Sequence, residues 1–194
     1  MPDKPDRPDT AIDRRTICRI GLGGVCWSAL PPVLAWSQTD PASMPPQKDD
    51  VLVKVDDAAS KPLTLADIPG GAQYVSAWPM APDGKIVRGG TRLNTLLLIR
   101  VDPKTLTGAT QADSADGVIA YSGLCPHAGC DLTTWIPEES RLSCDCHSSE
   151  FDVRASGKVL DGPSSRPLPH LALKLSGDRL VVAKPFSAAI RFDE

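Results

Sequence analysis

Two short stretches, Cys125-Pro-His-Ala-Gly-Cys130 and Cys144-Asp-Cys-His-Ser-Ser149, decide how this chain is read. Together they hold four of its six cysteines and two of its three histidines. The other two cysteines, Cys18 and Cys26, lie in an apolar segment near the start. All remaining cysteines fall in one place, which argues for a metal centre over a disulfide scaffold. Six side chains are more than one metal centre ordinarily takes. Zinc takes four, in spacings such as C-x2-C with H-x3-H, and C-x-H-x2-C with C-x-C-H fits that poorly. An iron–sulfur centre held by two cysteines and two histidines is the other option.

The flanking sequence predicts the frame around these stretches. Val51–Val55 alternates and is β-branched, which predicts a strand. Further strands are expected over 73–77, 94–101, 117–123, 141–144 and 151–154. Segments 171–175 and 180–183 form a hairpin about Ser176-Gly-Asp178. Thr64 to Asp67 starts a short turn, and the polar stretch 102–116 is expected to be an exposed loop. Nineteen prolines and fifteen glycines in 194 residues fit many turns and short strands. The expected fold is all-β, an antiparallel sandwich or barrel over 51–194 with a small subdomain of loops at about 122–169. Net charge is −3 with no long basic run, so nucleic acid is not an expected partner.

The first 50 residues have a different composition. Residues 1–13 are polar and proline-rich, and 36–50 has the composition of a linker. Between them, Arg14-Arg-Thr-Ile-Cys-Arg19 precedes an uncharged apolar run. With Val33-Leu-Ala35 this is a signal-peptide layout over 1–35, with small residues at −3 and −1 for cleavage after Ala35. The arginine pair resembles the twin-arginine export signal, with Asp13 where Ser or Thr is usual. That route carries folded proteins and implies a periplasmic destination and a cofactor loaded beforehand. An uncleaved inner-membrane anchor is the alternative. The apolar run is at the short edge of a bilayer span, and Pro31-Pro32 weaken it further.

Cys125-x-His127-x2-Cys130 with Cys144-x-Cys146-His147 resembles both boxes of the Rieske [2Fe–2S] family. The resemblance implies one cluster per chain, with Cys125 and Cys144 on one iron and His127 and His147 on the other. It implies a disulfide between Cys130 and Cys146. Ser149 matches a serine that donates to a bridging sulfide. Phe151 stands where high-potential members carry a tyrosine that donates to a ligand sulfur, and Ser148 replaces the usual glycine. Gly162-Pro163 and Arg166-Pro-Leu-Pro169 resemble the proline loop that covers the cluster. His170, just beyond, is read as a packing or surface residue. Trp135 is read as a loop tryptophan that covers apolar surface or serves as a docking residue or a lid.

The implied function is one-electron transfer, as the small subunit of a larger redox enzyme and not as a catalyst alone. The nearest resemblance is to the small subunit of arsenite oxidase, a periplasmic molybdopterin enzyme. Its partners would be a larger catalytic redox subunit and an acceptor such as cytochrome c. The Rieske subunit of a cytochrome bc complex, or a free periplasmic carrier, is the alternative. The bc subunits usually have Leu at the tip of the first box, where this chain has Ala128.

Overall fold

The computed structural model describes residues 40–71 and 73–193. The twin-arginine segment, the cleavage site after Ala35 and the candidate anchor lie outside the described residues. Among the described residues no helix is long and apolar enough to cross a membrane.

The run Leu96-Leu-Leu-Ile-Arg100 explains the architecture. It is too apolar for a strand with one wet face. As β3 (Leu96–Arg100) it pairs antiparallel with β4 (Val118–Ser122), with Leu98 opposite Ala120 and Ile99 opposite Ile119. Side chains alternate across a strand, so each strand serves two cores. Leu96, Leu98, Val118 and Ala120 point into one core with Leu52, Ala77, Leu171, Leu180 and Val182. Leu97, Ile99, Ile119 and Tyr121 point into a second, with Leu132, Leu142, Phe151, Val153 and Leu168.

The first core fills a closed six-stranded barrel. Around it run β1 (Val51–Lys54), β10 (Arg179–Phe186), β9 (His170–Ser176), β4, β3 and β2 (Val75–Met80). The hairpin expected at Ser176-Gly-Asp178 joins β9 and β10. The second core lies between the outer face of β3 and β4 and a separate antiparallel sheet, ordered β5 (Thr134–Ile136), β6 (Arg141–Ser143), β7 (Glu150–Asp152) and β8 (Lys158–Asp161). The strands expected at 141–144 and 151–154 are β6 and β7, and the small subdomain expected at about 122–169 is this sheet with loops at one end. Tyr121 ties it to the barrel, because its buried hydroxyl donates to Val153 O at 2.7 Å. Burial pushes that phenol well above its ordinary pKa, so it stays a neutral donor.

Two stretches differ from expectation. Segment 102–116 is not simply an exposed loop. It forms a 3-10 turn at Pro103–Thr105 and a short helix α1 (Ala109–Asp113), and it buries Leu106, Thr110 and Ala115. The stretch reads as polar because its buried positions are few and one is a threonine. That hydroxyl has two backbone acceptors for its one proton, Thr107 O at 2.7 Å and the distant Arg154 O at 2.8 Å. Residues 40–50 also lie against the barrel: Asp49 N–H donates to Val182 O at 2.9 Å, and fully buried Asp50 pairs with Arg88 at 2.7 Å. At Thr64–Asp67 the turn is a 3-10 turn, closed by the Thr64 N–H donating to the Asp67 carboxylate at 2.8 Å.

Because Leu98 is fully buried in the barrel core, Leu98→Ala should cost about 2–5 kcal/mol of stability. Urea denaturation checks this; a cost below about 1 kcal/mol would mean the barrel relaxes around the site.

Candidate metal centre

Each cysteine–histidine stretch is a six-residue hairpin loop. The first, 125–130, continues from β4 and is closed by the bridge between Leu124 and Asp131. The second, 144–149, joins β6 to β7 and is closed by the pair Ser143 and Glu150. Their backbones are near copies. Cys125 O accepts from Gly129 N–H at 2.9 Å, and Cys125 N–H donates to Cys130 O at 2.9 Å. In the second loop Cys144 O accepts from Ser148 N–H at 2.8 Å, and Cys144 N–H donates to Ser149 O at 2.9 Å. The fifth residue of each loop is left-handed, Gly129 at φ 71° and Ser148 at φ 58°. Ser148 thus keeps the glycine-like turn although it carries a Cβ.

This shared geometry buries the leading cysteine of each loop. Cys125 and Cys144 are free thiols and buried. Burial pushes the Cys125 thiol above its ordinary pKa; the backbone amide of His127 opposes this, the Cys144 sulfur adds to it, and the Ser149 hydroxyl opposes it. Two thiols buried side by side favour a bound metal cation, which stabilises them as thiolates. The histidines lie outward of the thiols. The rings of His127 and His147 are 4.7 Å apart and nearly perpendicular, with His127 half-buried and His147 exposed. His127 Nδ1 is buried and has no hydrogen-bond partner among the described residues. A buried imidazole nitrogen left unpaired beside two thiols is a donor set that a two-iron cluster would complete.

Cys130 and Cys146 are bonded to each other. Their sulfurs and that of Cys144 lie within 4.8 Å of one another. The disulfide removes two of those three sulfurs as ligands, so this is no three-cysteine metal site. Cys146 is exposed and Cys130 half-buried, so the bond closes the outer side of the site.

The covering loop 162–169 packs on the second loop. Ser149 is fully buried, and its Oγ accepts from Ser164 N–H at 3.2 Å. A Cβ on Gly162 would stand 2.5 Å from Ser148 O, so only glycine lets this loop come so close. Pro163 is exposed on the outer side of that turn. Phe151 is fully buried in the second core behind the second loop and has no hydroxyl to donate.

Trp135 is not in a loop. It lies in β5 opposite Leu142, half-buried, with its indole N–H donating to Gly71 O at 2.7 Å. His170 is in β9 and 2% exposed, a packed residue with Nε2 3.2 Å from Asp113 and its ring edge-on to Tyr121. Several contributors escaped the sequence reading. Asp145, between two cysteines, accepts from the hydroxyls of Thr133 at 2.7 Å and Thr134 at 2.8 Å, which hold its carboxyl below the usual range and anchor the second loop. Arg92 donates to Gly129 O at 3.1 Å and pairs with Asp131. Asp193 reaches the first loop from beyond β10. Only Asp145 carried a signal, its place inside the motif.

The near-identity of the two loops predicts opposite responses at matching positions. Ser148→Gly should stabilise the site by about 1 kcal/mol, by relieving a left-handed residue. Gly129→Ala should weaken it, since its Cβ would add the same strain and meet the Phe192 ring at 3.1 Å. Thermal unfolding and resistance of bound iron to chelators, compared between the two variants, check the signs.

Residues 86–175 match the family model of the Rieske [2Fe-2S] domain. The cytochrome bc1 complex Rieske iron-sulfur subunit of Streptomyces lividans is 30% identical over 84 residues, 43% of this chain and 49% of that protein. The protein of the same name from Corynebacterium glutamicum is 26% identical over 153 residues, 76% of this chain and 37% of that protein. The chain thus spans less than half the length of either relative. Among solved structures, the plasma membrane Rieske protein of the cyanobacterium Synechocystis PCC 6803 aligns with 62% of this chain and 95% of its own, at 25% identity and a TM-score of 0.40. With the paired loops and the disulfide in place, the conclusion is that this chain carries a Rieske [2Fe–2S] domain, whose cofactor is a Rieske-type cluster that passes single electrons.

Proposed function

We propose that this chain is the small electron-transfer subunit of a larger periplasmic oxidoreductase, of the arsenite oxidase type, and is exported by the twin-arginine route. Cys125 and Cys144 ligate one iron, and His127, through Nδ1, and His147 ligate the other. What supports this ligand set is that the two thiols are buried and the His127 Nδ1 is buried without a partner. A cluster held there supplies a one-electron redox centre. The protein's part is to bury the thiolates, expose the histidine side and fix both loops. His147 is exposed, and His127 partly so, which makes the imidazole edges the door for electrons. Ser149, buried against the covering loop, is the hydroxyl donor to the cluster's sulfur side.

The observation that carries the choice of partner is Phe151. It is fully buried behind the second loop and brings no hydroxyl. A missing donor to a cluster sulfur lowers the potential, which suits an enzyme other than a quinol oxidase. Exposed Ala128 at the tip of the first loop points the same way, since it offers little apolar surface for a quinol site. The partner would be a molybdopterin-containing catalytic subunit, and the acceptor a cytochrome c or similar carrier. A second reading, the Rieske subunit of a cytochrome bc1 complex, is favoured by the names of the relatives above. In that case the segment around 20–36 would remain as an anchor.

Affinity purification from periplasm and from membranes separates the two. Co-purification with a molybdenum-containing subunit is expected from the periplasm; co-purification with cytochrome b from the membrane would replace the first reading with the second. Restoring the missing donor is an independent check. Phe151→Tyr should raise the reduction potential on the order of 50 mV, the equivalent of one hydrogen bond of about 1 kcal/mol for one electron. Redox titration followed by circular dichroism reads it, and an unchanged or lower potential would remove Phe151 as the determinant.

A further inference from the structure

Three loops surround the site, and three links join them in pairs. The disulfide Cys130–Cys146 joins the first loop to the second. Ser149 Oγ, accepting from Ser164 N–H, joins the second to the covering loop. The third link comes from the segment after β10. Asp193 N–H donates to both Pro126 O at 2.8 Å and His127 O at 3.0 Å in the first loop. Its carboxylate accepts from Ser165 N–H at 2.9 Å, Ser165 Oγ at 2.7 Å and Arg166 Nε at 2.9 Å in the covering loop. Arg166 also donates to Phe192 O at 2.9 Å, and the Phe192 ring lies on Gly129.

We propose that Asp193 is a positioning residue for the metal centre: with Phe192 it forms a clasp that locks the first loop, and with it His127, to the covering loop. Charge-assisted bonds to one carboxylate are among the stronger links a surface can make. The Ser165 amide first, then its hydroxyl and Arg166, hold the Asp193 carboxyl down at about 2, so it is an anion near neutral pH. The first loop needs such a link on this side. Its His127 is half-buried and Ala128 exposed, so little packing holds it there. Asp193 does not touch a reacting atom in this account; it acts through the Pro126–His127 backbone and through Arg166. The role in cluster retention rests on the ligand set proposed above, whereas the link between the loops does not.

The test uses the full chain as Asp193→Ala and Asp193→Asn, beside the unaltered protein. Amide hydrogen exchange is followed in peptides covering 125–130 and 162–167, with and without bound cluster. In the loaded protein, loss of visible absorbance to a chelator and the reduction potential are followed as well. Asp193→Ala should speed exchange in both loops, and cluster loss, by about tenfold, with the Asn variant in between, while barrel strands keep their protection. The potential should rise in both variants, because an anion is lost and Arg166 is left unpaired beside the site. Exchange unchanged in both loops, or protection lost equally through the barrel, would overturn the clasp, as would a lower potential. The exchange comparison without cluster decides the clasp by itself; an unaltered protein that binds no cluster would instead overturn the ligand set.

Discussion

The covalent bond between Cys130 and Cys146 is the constraint on which the site depends. The two loops it joins cap the second core, the first between β4 and β5 and the second between β6 and β7, with backbone that does not enter a regular ladder. Without the bond, Arg92 and Asp193 still hold the first loop and Asp145 the second, but none of these contacts ties one loop directly to the other. The bond closes a 16-residue span between them. In the chain-entropy account, a loop of that size contributes about 3 kcal/mol. It also sets the second loop's backbone against the first, so that two buried thiols meet on one side and two imidazole rings on the other. Such a bond fits an oxidising compartment.

The barrel's part is to hold one side of this arrangement still. β4 runs from the barrel core directly into Cys125, and its two faces serve two cores. Residues on the outer face, Ile119 and Tyr121, form the floor on which Leu142, Phe151 and Val153 of the smaller sheet rest. The buried thiols are part of that same apolar cluster. The metal centre is therefore the upper end of a hydrophobic core. That explains how the cysteine side can be dry while the histidine side, a few residues away, is wet. An electron carrier needs both: a dry side to tune the centre and an exposed edge for exchange with a partner.

How much of this was legible in the sequence varied with how local the cause was. The two boxes were legible because six residue types and their spacings must agree within a short stretch. The barrel strands were legible where alternation or a long apolar run marked them, as at 51–54, 96–100 and 118–122. β5 and β8 were missed because each is short and shows few buried positions, with Trp135 as the main marker of the first. Helix α1 was missed because its one fully buried residue is a threonine satisfied by a contact 44 residues away. The glycine-like conformation of Ser148 could not be read from a serine; the backbone bond to Cys144 O explains why it is kept. Asp193 lay beyond sequence reasoning, since its partners are 28 residues distant in the covering loop and farther still in the first loop.

The central claim is that the iron at this site is held by both sulfur and nitrogen, with His127 and His147 as the nitrogen donors. Pulsed electron paramagnetic resonance on the dithionite-reduced protein, grown with nitrogen-15 histidine, tests it most directly. The account predicts couplings from two directly bonded imidazole nitrogens, with one lost in each of His127→Cys and His147→Cys. A reduced cluster with no histidine coupling, or couplings that survive both substitutions, would contradict it.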